Sequence, residues 1–107
     1  MKSWKRLEKV AADLLGGVRV ERVSTPLLSE NWLVSAPDVI VTGPFPLIVE
    51  CKVRKRFAHH AMLQEACAKY CRSGEEPVLV TREPCCDAYA TVRLEFLAKL
   101  LRGYHGS

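Results

Sequence analysis

Asp38 follows Pro37, and after eleven intervening residues the chain reads Glu50-Cys51-Lys52. Successive side chains of a strand point to opposite faces, so Glu50 and Lys52 project together while Val49, Cys51 and Val53 take the other face. Asp38 joins Glu50 and Lys52 if partner numbers in the two flanking strands sum to an even value, for instance Asp38 opposite Lys52 and Ile40 opposite Glu50. An odd sum scatters the three. Two carboxylates held together repel at neutral pH unless neutralised, and a hard divalent cation with oxygen ligands does this well. Magnesium, with manganese as its substitute, is the natural ion: Asp38 and Glu50 each supply an oxygen, and the backbone carbonyl of Cys51 supplies a third. Lys52 then stands where an ammonium can orient or help deprotonate an attacking water and offset the charge of a pentacovalent phosphate. The plainer alternative is a pair of strand-end carboxylates bridged by Lys52 and nearby arginines, a network of small energetic value.

The elements that must position these residues are legible in outline. Residues 4–15 place Trp4, Leu7, Ala11, Leu14 and Leu15 at helical spacing, with Ser3 to cap the first turn and Gly16-Gly17 to end the last. VRVERV, residues 18–23, alternates with period two and reads as a strand. The connection from Ser24 to Ala36 carries Leu27, Leu28, Trp32 and Leu33, and must pack on the domain, meet a partner subunit or extend the next strand. DVIVT and LIVECKV are strands around the turn Gly43-Pro44-Phe45-Pro46. Residues 58–72 are helical, with Leu63, Ala66, Cys67 and Tyr70 on one face and Ser73-Gly74 as the stop. PVLVTRE is a buried strand. After the turn at EPCCD, YATVRL reads as a return strand, with a single helix from Asp87 to Arg102 as the alternative; Leu94, Leu97, Leu101 and Tyr104 make the end helical under either. The order is a mixed α/β layout.

The 107 residues, 49% of them apolar, suit one domain over residues 1–107 that buries about two thirds of its unfolded surface. The N-terminal stretch is charged every few residues, unlike a signal peptide, and no run approaches the roughly 18 apolar residues of a membrane span. A soluble, cytoplasmic protein is expected. Five cysteines are an odd number and include the neighbours Cys85 and Cys86, so reduced thiols are expected rather than a disulfide framework. Cys67, Cys71, His59 and His60 include no CxxC pair and read as incidental or buried groups rather than zinc ligands.

The net charge of +4 is modest, but the cations cluster in Lys2, Lys5, Arg6 and Lys9 and again in Lys52, Arg54, Lys55 and Arg56, followed by His59 and His60. Such clusters meet a polyanion or form a solvated face. Arg54 and Arg56 continue the face of Glu50 and Lys52 if the strand runs on, where they would contact phosphates flanking a cut. Lys5, Arg22, Lys55 and His59 complete the candidate DNA contacts. No P-loop, dinucleotide fingerprint or Ser/His/Asp arrangement is present.

Pro37-Asp38 followed by Glu50-Cys51-Lys52 resembles the PD-(D/E)xK motif of the restriction-endonuclease-like nuclease superfamily, carried on the second and third strands of its αβββαβ core. Over most of residues 4–83 the pattern is similar to the archaeal-type and phage-type Holliday junction resolvases: a helix carrying a glutamate, a valine-rich strand bearing arginine, PDVIV, an ExK strand, and a helix containing glutamine. The resemblance implies an α/β single-domain fold with a mixed central sheet. It implies Asp38, Glu50 and Lys52 as the catalytic core, and Glu8 as the helix glutamate that helps bind metal. It further implies Gln64 on the following helix, and Ser24 as the loop serine, with Ser35 competing for that role. The implied activity is magnesium-dependent hydrolysis of four-way DNA junctions by a homodimer in the cytoplasm, that of the host if the protein is phage-type. The loop around Trp32 and the leucine-rich C-terminal helix are the candidate dimer surfaces. Another nuclease of the superfamily, serving phage replication, repair or restriction, is one alternative; a non-catalytic DNA-binding or assembly module is the other.

Overall fold

The computed structural model describes residues 3–20 and 36–105. Arg22, Ser24, Ser35 and the apolar connection around Trp32 lie outside the described residues. The elements in chain order are α1 (Ser3–Leu15), β1 (Val18–Arg19), β2 (Val39–Val41), β3 (Leu47–Val53), α2 (His59–Tyr70), β4 (Glu76–Arg82), β5 (Ala88–Thr91) and α3 (Leu94–His105). The segment after the Cys85-Cys86 turn is thus the return strand followed by a helix, not one helix from Asp87.

The five strands are ordered β1-β2-β3-β4-β5, with β3 and β4 parallel and every other neighbouring pair antiparallel. A parallel pair needs a crossover, and α2 supplies it. β3 and β4 are covered on both faces, which is why LIVECKV and PVLVTR read as nearly continuous apolar runs rather than alternating ones. On one face Val49 and Cys51 of β3 pack with Val39, Val41, Val78 and Val80 against Leu7, Ala11 and Ala12 of α1. On the other face Ile48 meets Ala66 and Tyr70 of α2. Pro77 is tolerated in β4 because it pairs with Ile48 ahead of the point where β5 joins, so its missing N–H leaves no ladder bond unmade.

The buried stripe of α1 is Leu7, Glu8, Ala11 and Ala12, while Trp4, Leu14 and Leu15 stay exposed. On α2, Cys67 is likewise exposed, and Leu63, Ala66 and Tyr70 form the packed face. Gly16 ends α1 at φ 69° and the Gly17 amide bonds back to the Ala12 carbonyl at 2.8 Å, the geometry of a glycine-terminated helix. Gly17 also lies against β2: a Cβ there would stand 2.8 Å from the Ile40 carbonyl oxygen and from methyls of Val39 and Val41. The helix end and the first strand of the β2–β3 hairpin therefore pack closely at Gly17. α3 buries Phe96, whose ring meets Phe45 of the β2–β3 turn edge-on at 6.4 Å.

Candidate active site

β2 and β3 pair with Val39 opposite Val49, Ile40 opposite Ile48 and Val41 opposite Leu47. The partner sum is even, as a shared face demands, although Ile40 meets Ile48 rather than Glu50. Glu50 and Lys52 fall with Ile48 on the α2 side, and Cys51 falls on the α1 side.

Asp38 departs from this alternation. Its N–H donates to the Val49 carbonyl at 3.1 Å, while its own carbonyl accepts from Val20 N–H at 3.0 Å. A regular strand residue points both groups at the same neighbour, so the backbone at Asp38 is irregular in the manner of a β-bulge. The carboxylate consequently lies with Glu8 and Cys51 on the α1 side instead of across the ladder from Glu50. Its Oδ2 accepts the Cys51 N–H at 2.8 Å, taking the place of a main-chain carbonyl at the point where β2 gives out at Pro37.

Glu8 comes to this point from α1. It is buried, with 6% of its surface exposed, and its Oε1 accepts from Arg19 of β1, Nη2 at 3.2 Å and Nε at 3.4 Å. Burial first, and then the charge of Asp38, push the Glu8 pKa up, against the pull of the Arg19 guanidinium. The two carboxylates repel when both are ionised, and a proton taken up by Glu8 relieves that repulsion. A cation satisfies the same oxygens without a proton.

Two concavities flank the end of β3. One, of about 240 Å³, is lined by Trp4, Glu8, Asp38, Cys51 and Lys52. The other, of about 260 Å³, lies under α2 and is lined by Glu50, Lys52, Arg54, Glu65, Lys69 and Tyr70 among others. Lys52 borders both, so the two concavities meet at this residue of β3. The Cys51 thiol is buried beside all three: burial, followed by the charges of Asp38, Glu8 and Glu50, drives its pKa upward. A thiol kept protonated in this way is no nucleophile.

These oxygens suit a divalent cation of the magnesium type. Among the described residues no three His, Cys, Asp or Glu side chains form a ready cage. Magnesium does not ask for one, since it commonly takes one or two carboxylates and fills its octahedron with water and substrate phosphate. Glu8 and Asp38 line one concavity together, and Glu50 lines the other.

Other residues singled out by the sequence spread more widely. Gln64 is exposed on α2 and lines neither concavity. β3 stops at Val53; Arg54 follows it, donating its N–H to the Arg82 carbonyl at 3.2 Å, and still reaches the second concavity. Lys55 and Arg56 are exposed beyond the strand, and His59, also exposed, opens α2 with its ring 5.5 Å from Phe57. Lys5 is exposed on α1, its ammonium 5.4 Å from the Trp4 ring centroid. Sequence reasoning passed over Arg19 as the partner of Glu8, since residues eleven apart on different elements carry no periodic signal. It also passed over Glu65 and Lys69, whose i,i+4 spacing is that of any surface helix pair.

No protein-family model matches the chain, and no curated protein matches it. Among solved structures it is similar to Hjc of Archaeoglobus fulgidus, a Holliday junction resolvase from an archaeal hyperthermophile. The TM-score is 0.50 at 18% identity, and the match covers 81% of this chain and 74% of that one. The mixed five-stranded sheet with its three helices is therefore the restriction-endonuclease-like α/β fold of Hjc. No helix among the described residues is long and apolar enough to cross a membrane.

Proposed function

We propose that the protein is a metal-dependent DNA endonuclease that resolves four-way junctions by phosphodiester hydrolysis. The observation that carries this reading is the meeting of Glu8, Asp38 and Lys52 at the end of β3, with Glu50 on the same strand, inside a fold shared with Hjc. Glu8, Asp38 and Glu50, with the Cys51 carbonyl, would hold magnesium, and manganese as its substitute. The ion would supply Lewis-acid charge at the scissile phosphate. The protein's own groups do the rest. Lys52, which borders the concavities of both carboxylate groups, would offset negative charge gathering on phosphate oxygens and orient an attacking water. Arg19 holds Glu8 in position, and the Cys51 amide does the same for Asp38.

Two active sites on opposite strands of a junction require a two-fold dimer. The exposed Leu94, Leu97 and Leu101 of α3 support a self-association surface. Binding would rest on phosphate positions and junction shape, in the cell interior where DNA is found.

The test is cleavage of a synthetic four-way junction and a linear duplex of the same sequence, with magnesium and with EDTA, by the wild type and Glu50→Gln. Paired symmetric cuts in the junction alone, lost in EDTA and in Glu50→Gln, are expected. Equal cutting of both substrates would make the protein a nuclease of another task. Equal behaviour of wild type and variant would leave only a binding or assembly module.

A further inference from the structure

The concavity beneath α2 has features that the hydrolytic chemistry does not require. Three cations border it, Lys52 and Arg54 from the end of β3 and Lys69 from α2, with two carboxylates, Glu50 of β3, which the nuclease reading assigns to the metal, and Glu65 of α2. Glu65 Oε1 pairs with Lys69 Nζ at 2.8 Å, one helical turn away, and both side chains are more than half exposed. The hydrogen bond from Lys69 and its charge, with smaller contributions from Lys52 and Arg54, hold the Glu65 pKa below the ordinary value. The Glu65 carboxylate is thus an anion set among cations from two different elements.

We propose that this concavity is a second phosphate site for the DNA strand being cut, formed by Lys52, Arg54 and Lys69, in which Glu65 holds the anion position until the phosphate displaces it. The proposal rests on the nuclease reading above. Lys52 borders both concavities, so a phosphate here is a near neighbour of the one at Glu8 and Asp38, on the same strand. Exposed ion pairs are weak and readily exchanged, which suits a carboxylate that must give way. The cost of displacing it falls on every DNA, so Glu65 lowers affinity for any backbone that fails to engage the remaining contacts of the site.

The test measures binding of a fluorescently labelled four-way junction by anisotropy in EDTA, across a salt series, beside cleavage in magnesium. Glu65→Gln should bind about two- to fivefold tighter, the worth of an exposed ion pair. Lys69→Ala should bind more weakly, with the slope of log K against log salt reduced by about 0.9, one phosphate contact. Glu75→Gln changes net charge by the same amount but pairs with Arg72 away from the concavity, and should match the wild type. Thermal melting of Glu65→Gln and Lys69→Ala should stay close to the wild type, since both side chains are more than half exposed. Cleavage and binding by the wild type with no change in either α2 variant would overturn the phosphate site and leave the nuclease reading standing. Equal tightening by Glu75→Gln would reduce the effect to global charge and overturn it as well. Sub-millimolar competition by inorganic phosphate, absent in Lys69→Ala, would assign the site to a free anion instead. A wild type that neither binds nor cuts DNA would end both readings together.

Discussion

The Cys51 amide donates a 2.8 Å hydrogen bond to Asp38 Oδ2, so the carboxylate we propose as a metal ligand also closes the β2–β3 ladder where the main chain of β2 has run out. Asp38→Asn keeps an oxygen acceptor at that position and Asp38→Ala does not. Both variants are expected to lose junction cleavage. Only the alanine variant should lose appreciable stability, about 1–3 kcal/mol for the buried N–H left unbonded, as read from urea denaturation. Equal melting of the two would show that the hydrogen bond contributes nothing to the fold.

Glu8 and Arg19 should be coupled. Glu8 is buried and Arg19 is its guanidinium partner across the α1–β1 connection, so removing Arg19 leaves a buried carboxylate whose pKa is already raised by burial and by Asp38. In a double-mutant cycle of Glu8→Gln and Arg19→Met, the stability changes should fall short of additivity by about 0.5–2 kcal/mol. Additive losses would mean the pair does not act as a unit.

Gly17 should be intolerant of a side chain for steric reasons. A Cβ there meets the Ile40 carbonyl and two valine methyls at 2.8 Å, so Gly17→Ala must push β2 away from the helix end, at a cost of about 1–3 kcal/mol. Gly16→Ala meets open space but sits at φ 69° and should cost about 1 kcal/mol from conformation alone. Because β2 leads back to Asp38, Gly17→Ala should also lower cleavage more than Gly16→Ala does. Calorimetric melting and a junction assay on both variants check this.

The thiols should report the packing. All five cysteines are free; Cys67, Cys85 and Cys86 are exposed and Cys51 is buried. Burial and the neighbouring Cys67 push the Cys71 pKa up to about 12. Iodoacetamide at pH 8 should therefore alkylate Cys67, Cys85 and Cys86 first. Cys71 should label more slowly and accelerate as the pH rises toward its pKa, because the thiolate is the reacting form. Cys51 should label only on unfolding. Mass spectrometry of peptides over a time course gives the order.

The face assignments show where one-dimensional pattern stops. Period two placed Glu50 and Lys52 together, because alternation within a strand is a property of the local backbone. It could not place Asp38, since a bulge that rotates one residue depends on how Val20 and Val49 draw its amide and carbonyl to opposite sides. Helical spacing likewise marked α1 as amphipathic, but which of its apolar residues are buried was set by the sheet beneath: Leu7 and Ala11 are packed while Trp4 borders the candidate site.

By itself the sequence determined the helix and strand order as far as β4, the glycine-ended first helix, and the hairpin carrying Asp38 and the ExK strand, all consequences of local periodicity and turn chemistry, while the even register of that hairpin and the strand after Cys86 came from the tertiary structure. The tertiary structure alone decided that Asp38 joins Glu8 rather than Glu50, that Arg19 holds Glu8, and that Glu65 and Lys69 border the concavity beside Lys52. Each of these depends on side chains from separate elements meeting in space, and no spacing along the chain encodes the distance between a helix and the strand end it covers.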